Sequence, residues 1–283
     1  MKQFILTKEP ADNTIRLEGS DYRYLVKVRR LAVGECFPAV LPNGMETTVR
    51  IISIDRNVLT GKCQPLSDAV SLEAASLDAV SSETASEEAQ LPSILLFQAL
   101  PKGEKMDLIV RQAAECGIAE IVPFKAERSI AGINAESQRH SRWERIIREA
   151  RQQSGSKTAT VIHKPLTVDS LLNHWKKIRE GGTVGLLFHQ EDCQNMACQG
   201  LEKESLHSYL NSVPPAVVLV IGPEGGFSDK EVYLFIENGF KLITIGDTVF
   251  RTETAALFCA ASVRIILLER NSWELKQTKT GSG

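Results

Sequence analysis

From Ser93 to Leu268 short apolar runs alternate with segments of helical period, and that alternation limits the fold more than any other feature of the chain. Strands are expected at Ile94–Gln98, Ala119–Pro123, Thr183–Phe188, Val217–Ile221 and Leu242–Ile245. Helices are expected at Gly103–Cys116, Gln138–Gln153, Ser228–Asn238 and Thr254–Leu268. Val217–Ile221 is apolar throughout, so both of its faces need cover; this favours an α/β fold whose mostly parallel sheet has helices on both sides. Trp143, Ile146, Ile147 and Ala150 share one side of the second helix, and Gly117 is placed to end the first. Ligands of such sheets bind beyond the carboxyl ends of the strands, so the strand-to-helix loops are where a site is sought.

Residues 1–66 follow another pattern. Strand-like runs occur at Gln3–Leu6, Glu35–Val40, Thr47–Ile54 and Val58–Cys63, divided by the turn signals Pro42-Asn43-Gly44 and Arg56-Asn57. One helix interrupts them, with Ser20 as its expected N-cap and Tyr22, Leu25, Val26 and Val28 as apolar positions. Short strands with one helix point to a small β-barrel. Residues 67–92 are rich in Ser, Ala, Asp and Glu and read as a linker before the domain at 93–283.

The charge balance matters because of that linker. Asp68, Glu73, Asp78, Glu83, Glu87 and Glu88 have no Lys or Arg among them, so a net charge of −2 for the chain conceals +4 outside residues 66–92. A mildly basic remainder permits nucleic-acid binding without requiring it. Arg23, Lys27, Arg29 and Arg30 form one basic group, and Arg139, Arg142, Arg145, Arg148 and Arg151 a second; a solvated face is the alternative for each. The chain is 43% hydrophobic, enough for a proper core, yet has no apolar run long enough for a membrane span. The N-terminus has no signal-peptide pattern, so a cytoplasmic protein is expected. The six cysteines form no C-x-x-C pair, and His189, Cys193 and Cys198 fit no usual zinc spacing. Reduced thiols and no metal are the expectation.

Two loops stand out. Ile221-Gly222-Pro223-Glu224-Gly225-Gly226-Phe227-Ser228 joins an apolar strand to a helix marked by the Ser228–Glu231 capping pattern. Its glycines let backbone approach a ligand, and the helix start adds oriented N–H donors. A tight connection without a ligand is the alternative, against which Glu224 between Pro and Gly weighs. The second loop, Ile245 to Ala255, also joins strand to helix and carries Arg251 and Glu253. The pair is either a helix cap or the source of an arginine fork aimed into the cleft.

In this order the loops resemble the SPOUT superfamily of methyltransferases that use S-adenosyl-L-methionine (SAM). More narrowly they resemble the RsmE family of 16S ribosomal RNA uracil-N3 methyltransferases. The family carries I-G-P-E-G-G and L-G-x-x-[IV]-[LF]-R-T-E-T-A, matched by Ile221–Gly226 and Ile245–Ala255. Gln98-Ala99-Leu100-Pro101-Lys102-Gly103-Glu104-Lys105-Met106, Glu115-Cys116-Gly117-Ile118, Glu127-Arg128-Ser129 and Tyr24–Arg30 match further family motifs. Tyr24 and Arg29 depart from the usual His and Leu, and Ser156 and Thr248 stand where the family has basic residues.

The resemblance implies a SPOUT domain with a trefoil knot, a PUA-like RNA-binding N-terminal domain and a homodimer. It implies SAM held at Leu187, Phe188, His189, Ile221, Gly222, Pro223, Glu224, Gly225, Gly226, Ile245, Gly246, Val249, Phe250, Arg251, Thr254 and Ala255. Arg251 is the candidate for stabilising a uracil anion or holding target phosphate. Glu224 is the candidate for orienting Arg251 or handling the N3 proton. Arg23, Lys27, Arg29, Arg30, Lys102, Lys105 and Arg128 are candidate contacts to 16S rRNA of the small ribosomal subunit. A SPOUT ribose 2′-O-methyltransferase of tRNA or rRNA, and a non-catalytic RNA-binding assembly factor, are the rivals.

Overall fold

Hydrogen bonds between parallel strands make the larger sheet. In a computed structural model, described for residues 4–64, 91–130, 132–133, 139–190, 205–211, 213–245 and 248–280 (the side chains of 271–280 excepted), the chain divides into two units. One takes in residues up to 86 together with 151–159, the other 87–150 and 160–283. No helix of the described residues is long and apolar enough to cross a membrane.

In the first unit β1 (Phe4–Ile5), β2 (Thr14–Leu17), β3 (Cys36–Val40), β4 (Glu46–Asp55) and β5 (Val58–Gln64) form one sheet in the order β1-β3-β4-β5-β2. Pairing is antiparallel except between β1 and β3. Arg56 and Asn57 both take positive φ, 43° and 69°, which joins β4 to β5 as a tight hairpin. Phe4, Leu25, Phe37, Val49 and Leu59 are among the core residues.

The helix α1 (Gly19–Tyr22) corrects the expected cap. Glu18 holds the N-cap position, and the Ser20 hydroxyl bonds Asp21 instead. The chain then widens into a π-helical turn, Arg23–Val28, with Arg29 N–H donating to Tyr24 carbonyl at 2.8 Å. Strand β2 was unmarked in the sequence because four residues leave little room for a period.

The second unit contains β6 (Ser93–Ala99), α2 (Lys105–Glu115), β7 (Glu120–Lys125), α3 (His140–Ser154, whose last residues fall in the first unit), β8 (Val161–Ile162), β9 (Leu166–Thr167), α4 (Val168–Arg179), β10 (Val184–Phe188), α5 (Leu206–Tyr209), β11 (Ala216–Ile221), α6 (Asp229–Glu237), β12 (Lys241–Ile243) and α7 (Thr252–Thr280). Among the described residues the sheet runs β12-β10-β11-β6-β7-β8, all parallel, with β9 also on β7. Alternate residues feed two cores. Leu96, Ile121, Leu186 and Leu219 face α2, α3 and α7, whereas Phe97, Val122, Leu187 and Val220 face α4 and α6. The expected two-faced parallel sheet is therefore present.

Helix ends follow local chemistry. Gly117, at φ 71°, closes α2 as Gly117 N–H donates to Ala114 and Ile118 N–H to Ala113. Trp143 is fully buried and its indole N–H donates to Asp107 at 3.0 Å. The expected second basic surface is largely committed elsewhere. Arg142 pairs with Asp107, Arg145 lies 3.8 Å from Glu149, and Arg151 is buried.

Candidate functional site

Strand register creates the site. Phe188 of β10 pairs with both Ile221 of β11 and Ile243 of β12, so three strands end at one level. The chain leaving each passes over the same edge, and a cavity of about 340 Å³ opens there. That volume suits a small-molecule pocket.

The first loop lines this cavity from Ile221 through Gly226, and Phe188 and His189 line it from β10. The second loop contributes Ile245, Val249, Phe250, Arg251 and Ala255. Gly246 lies outside the described residues, as do Cys193 and Cys198. Leu187 and Thr254 do not line the cavity: the Leu187 side chain packs in the opposite core, and Thr254 is exposed on α7. Residues absent from the sequence expectation also reach it, notably Phe227, Thr252 and Cys259. Burial pushes the Cys259 thiol up to about 12, so it stays protonated.

The first loop is a turn held from several sides. Gly226 N–H donates to Pro223 carbonyl at 2.9 Å. A Cβ on Gly225 would sit 3.2 Å from Arg128 Cβ, and one on Gly222 3.2 Å from the Phe227 ring. Arg128 donates from its guanidinium to Gly225 carbonyl at 2.8 Å. The capping box expected at Ser228 and Glu231 is present. Ser228 also donates its hydroxyl to Glu127 at 2.6 Å, while Glu127 N–H donates to Glu231 at 2.8 Å. Glu127 thus ties its segment to the start of α6, and Arg128 lies against the loop in consequence.

Glu224 has a different partner from the one expected. Its carboxylate accepts from Lys102 N–H at 3.1 and 3.2 Å and from Lys105 Nζ at 2.6 Å. Among the described residues it does not pair with Arg251, because Lys105 on the first turn of α2 is nearer. Burial acts to raise its pKa, but the Lys105 bond, backbone N–H donors and the Lys105 charge outweigh that and hold it below 4.5. Such a carboxylate is a clamp and a weak base. Lys105 Nζ also lies 4.0 Å from Glu253, in the first turn of α7.

Thr252 joins the two loops. Its hydroxyl donates to Gly222 carbonyl at 2.7 Å and accepts from the fully buried Gln98 amide at 3.0 Å. Arg251 is exposed and lines the cavity, with no ion pair among the described residues. It is therefore a cation available to a ligand, as is Arg128, which also lines the cavity but is bonded to the Gly225 carbonyl. Of the proposed RNA contacts in this unit, Lys102 and Arg128 are exposed and Lys105 half-buried; the latter two also serve the loop. In the first unit Arg23, Lys27 and Arg30 are exposed and Arg29 is half-buried.

Comparison with known proteins places these features in context. A family profile described as RNA methyltransferase domain matches residues 87–264. Ribosomal RNA small subunit methyltransferase E of Synechocystis sp. is 31% identical over 188 residues, which span 65% of this chain and 57% of that relative. The Bacillus subtilis protein of the same name is 24% identical over 91% of this chain and 93% of its own length. Among solved structures, a ribosomal RNA small subunit methyltransferase E from Neisseria gonorrhoeae bound to SAM superposes with TM-score 0.69 at 22% identity, covering 94% of this chain and 98% of that one. A Legionella pneumophila protein in complex with bound SAM gives TM-score 0.70 at 24% identity over 93% and 97% of the two chains. These likenesses establish a shared fold.

Proposed function

Because this chain belongs to the RNA methyltransferase family, we propose that it transfers a methyl group from SAM to N3 of a uridine in 16S ribosomal RNA of the small subunit. The observation that carries the reading is the convergence of two glycine-bearing loops on one cavity, joined through Thr252. Its residues fit the cofactor. Gly226 has open space where a Cβ would stand, which leaves room for a ligand against backbone, and Phe188, Ile221 and Val249 offer apolar wall for an adenine. Bound there, SAM supplies the electrophilic methyl group. Gly246, which follows the lining residue Ile245 in sequence, completes the proposed cofactor set; Leu187 and Thr254, which do not line the cavity, fall outside it.

The chain's own work is alignment and charge. Uracil N3 carries a proton and is a poor nucleophile at neutral pH. Alignment of reacting atoms contributes up to about 7–11 kcal/mol in such reactions. Arg251 stabilises the uracil anion as the N3 proton passes to solvent water. Glu224, paired with Lys105, holds the loop in shape. The target base leaves its stack to enter the cavity.

Residues 1–66 serve as a PUA-like RNA-binding barrel, 67–92 as a linker and 93–283 as a knotted SPOUT domain. Supporting the knot, β12 lies outside β10 while the following helix α7 returns to pack on α2, β6 and β11. The active form is a cytoplasmic homodimer. The deciding experiment is nucleoside analysis of 16S rRNA from a deletion strain. Loss of 3-methyluridine, restored by the gene, supports the proposal; loss of a ribose methyl in its place assigns the chain to 2′-O-methylation.

A further inference from the structure

At the amino end of the sheet, away from the cavity, three side chains with metal-binding donors meet. Glu120 opens β7, and by strand alternation it points, with Val122 and Phe124, towards the face covered by α4. His163 follows β8. Its N–H donates to Ile121 carbonyl at 2.9 Å, which continues the β8 ladder and brings the side chain beside Glu120. His174 lies on α4 between Leu171 and Trp175, both buried against the sheet. Glu120 Oε1 accepts from His163 Nε2 at 2.7 Å and from His174 Nε2 at 2.8 Å. The three donor atoms lie within 4.8 Å of one another.

We propose that Glu120, His163 and His174 form a binding site for a divalent transition-metal ion of the zinc type, completed by water. The donor set decides the class of ion. Two imidazoles and one carboxylate suit zinc, cobalt or nickel, whereas magnesium and calcium prefer oxygen alone. The geometry decides in favour of a common centre. Both Nε2 atoms converge on Glu120 Oε1, so the three donors face one point. Ligand atoms on a tetrahedral zinc sit about 3.3 Å apart, from bond lengths of about 2.0–2.1 Å. The two Glu120–His separations therefore need to open by roughly half an ångström, and side chains 22% to 38% exposed have the freedom to do so. Partial exposure also admits the water that completes the shell.

The three ligands come from β7, the segment after β8, and α4. A metal there cross-links the sheet to its covering helix and stabilises the fold by mass action. Imidazole protons leave as the metal enters. The inference is independent of the methyl-transfer reading, since the cluster lies at the other end of the strands.

The test uses the full-length protein, stripped with a chelator, then titrated with Co²⁺ by visible absorption and with Zn²⁺ by calorimetry. The expected result is one ion per chain, d–d bands of a four- or five-coordinate site without sulfur-to-metal charge transfer, and a rise in Tm with Zn²⁺. Uptake and the Tm rise are lost in His163→Ala and in His174→Ala. No uptake at micromolar metal, a thiolate charge-transfer band, or uptake undiminished in both variants overturns the proposal. Should either variant fail to fold, the wild-type Co²⁺ spectrum decides, because it reports the ligands directly.

Discussion

The two ends of the parallel sheet do different work with the same strands. At the carboxyl end, β10, β11 and β12 stop level and give way to segments that line a cavity, with Gly222, Gly225 and Gly226 after β11 among them. At the amino end, Glu120 is bonded by two histidines, one of them on α4, and that helix is packed down on the sheet. One end is shaped to admit a ligand, the other to hold a helix. Substitutions at the first should act on binding and transfer, those at the second on stability.

The largest effect expected is at Arg251. Arg251→Ala should lower single-turnover methyl transfer by about 10²–10³-fold while SAM affinity measured at equilibrium changes far less. Equal loss of both would make Arg251 a cofactor holder. Next comes Thr252→Val, which strips the hydroxyl from between Gln98 and Gly222. Leaving buried polar groups unpaired should cost about 1–3 kcal/mol in a urea melt and weaken SAM binding. Glu224→Gln loosens a half-exposed clamp, so SAM affinity should fall only roughly fivefold, the scale of about 1 kcal/mol for such a pair.

A smaller effect should appear in acid. The folded pKa of Glu224 lies below 4.5, so its clamp contributes fully above that value and is lost as pH falls through the depressed one. SAM affinity of the wild type should therefore drop at the acid end, and Glu224→Gln should lack that limb. Smallest of all, Glu120→Gln should leave methyl transfer within about twofold, since distant sites act independently. A large loss there would break the division between the two ends.

How much of this could be read before folding depends on where the determinants lie along the chain. Strands β6, β7, β10 and β11 and the buried face of α3 are legible, because runs such as Val217–Ile221 are continuously apolar and the Trp143, Ile146, Ile147, Ala150 spacing has the helical period. The Ser228–Glu231 box was legible because both partners sit within one turn. Helix α4 and strands β8 and β9 went unmarked. Two-residue strands carry no period; α4 does carry one, since Val168, Leu171, Leu172, Trp175 and Ile178 share a face behind the Thr167 cap, so it is legible although not among the helices expected above. The Glu224 partner is hidden from the sequence for a related reason: Lys105 comes from an element far off along the chain, whereas Arg251 is nearer.

Local order, then, was largely written in the residues: the longer strands, the Gly117 turn, the Ser228 start of α6, and the loops that come to line the cavity. Folding in three dimensions chose the partners. Strand register set β10, β11 and β12 level, tied Gly222 to Thr252 and Gln98, and brought Glu120 to two histidines. Side-chain bonds fall off within a few ångströms, so which groups meet depends on packing between elements, and no stretch of sequence contains that distance.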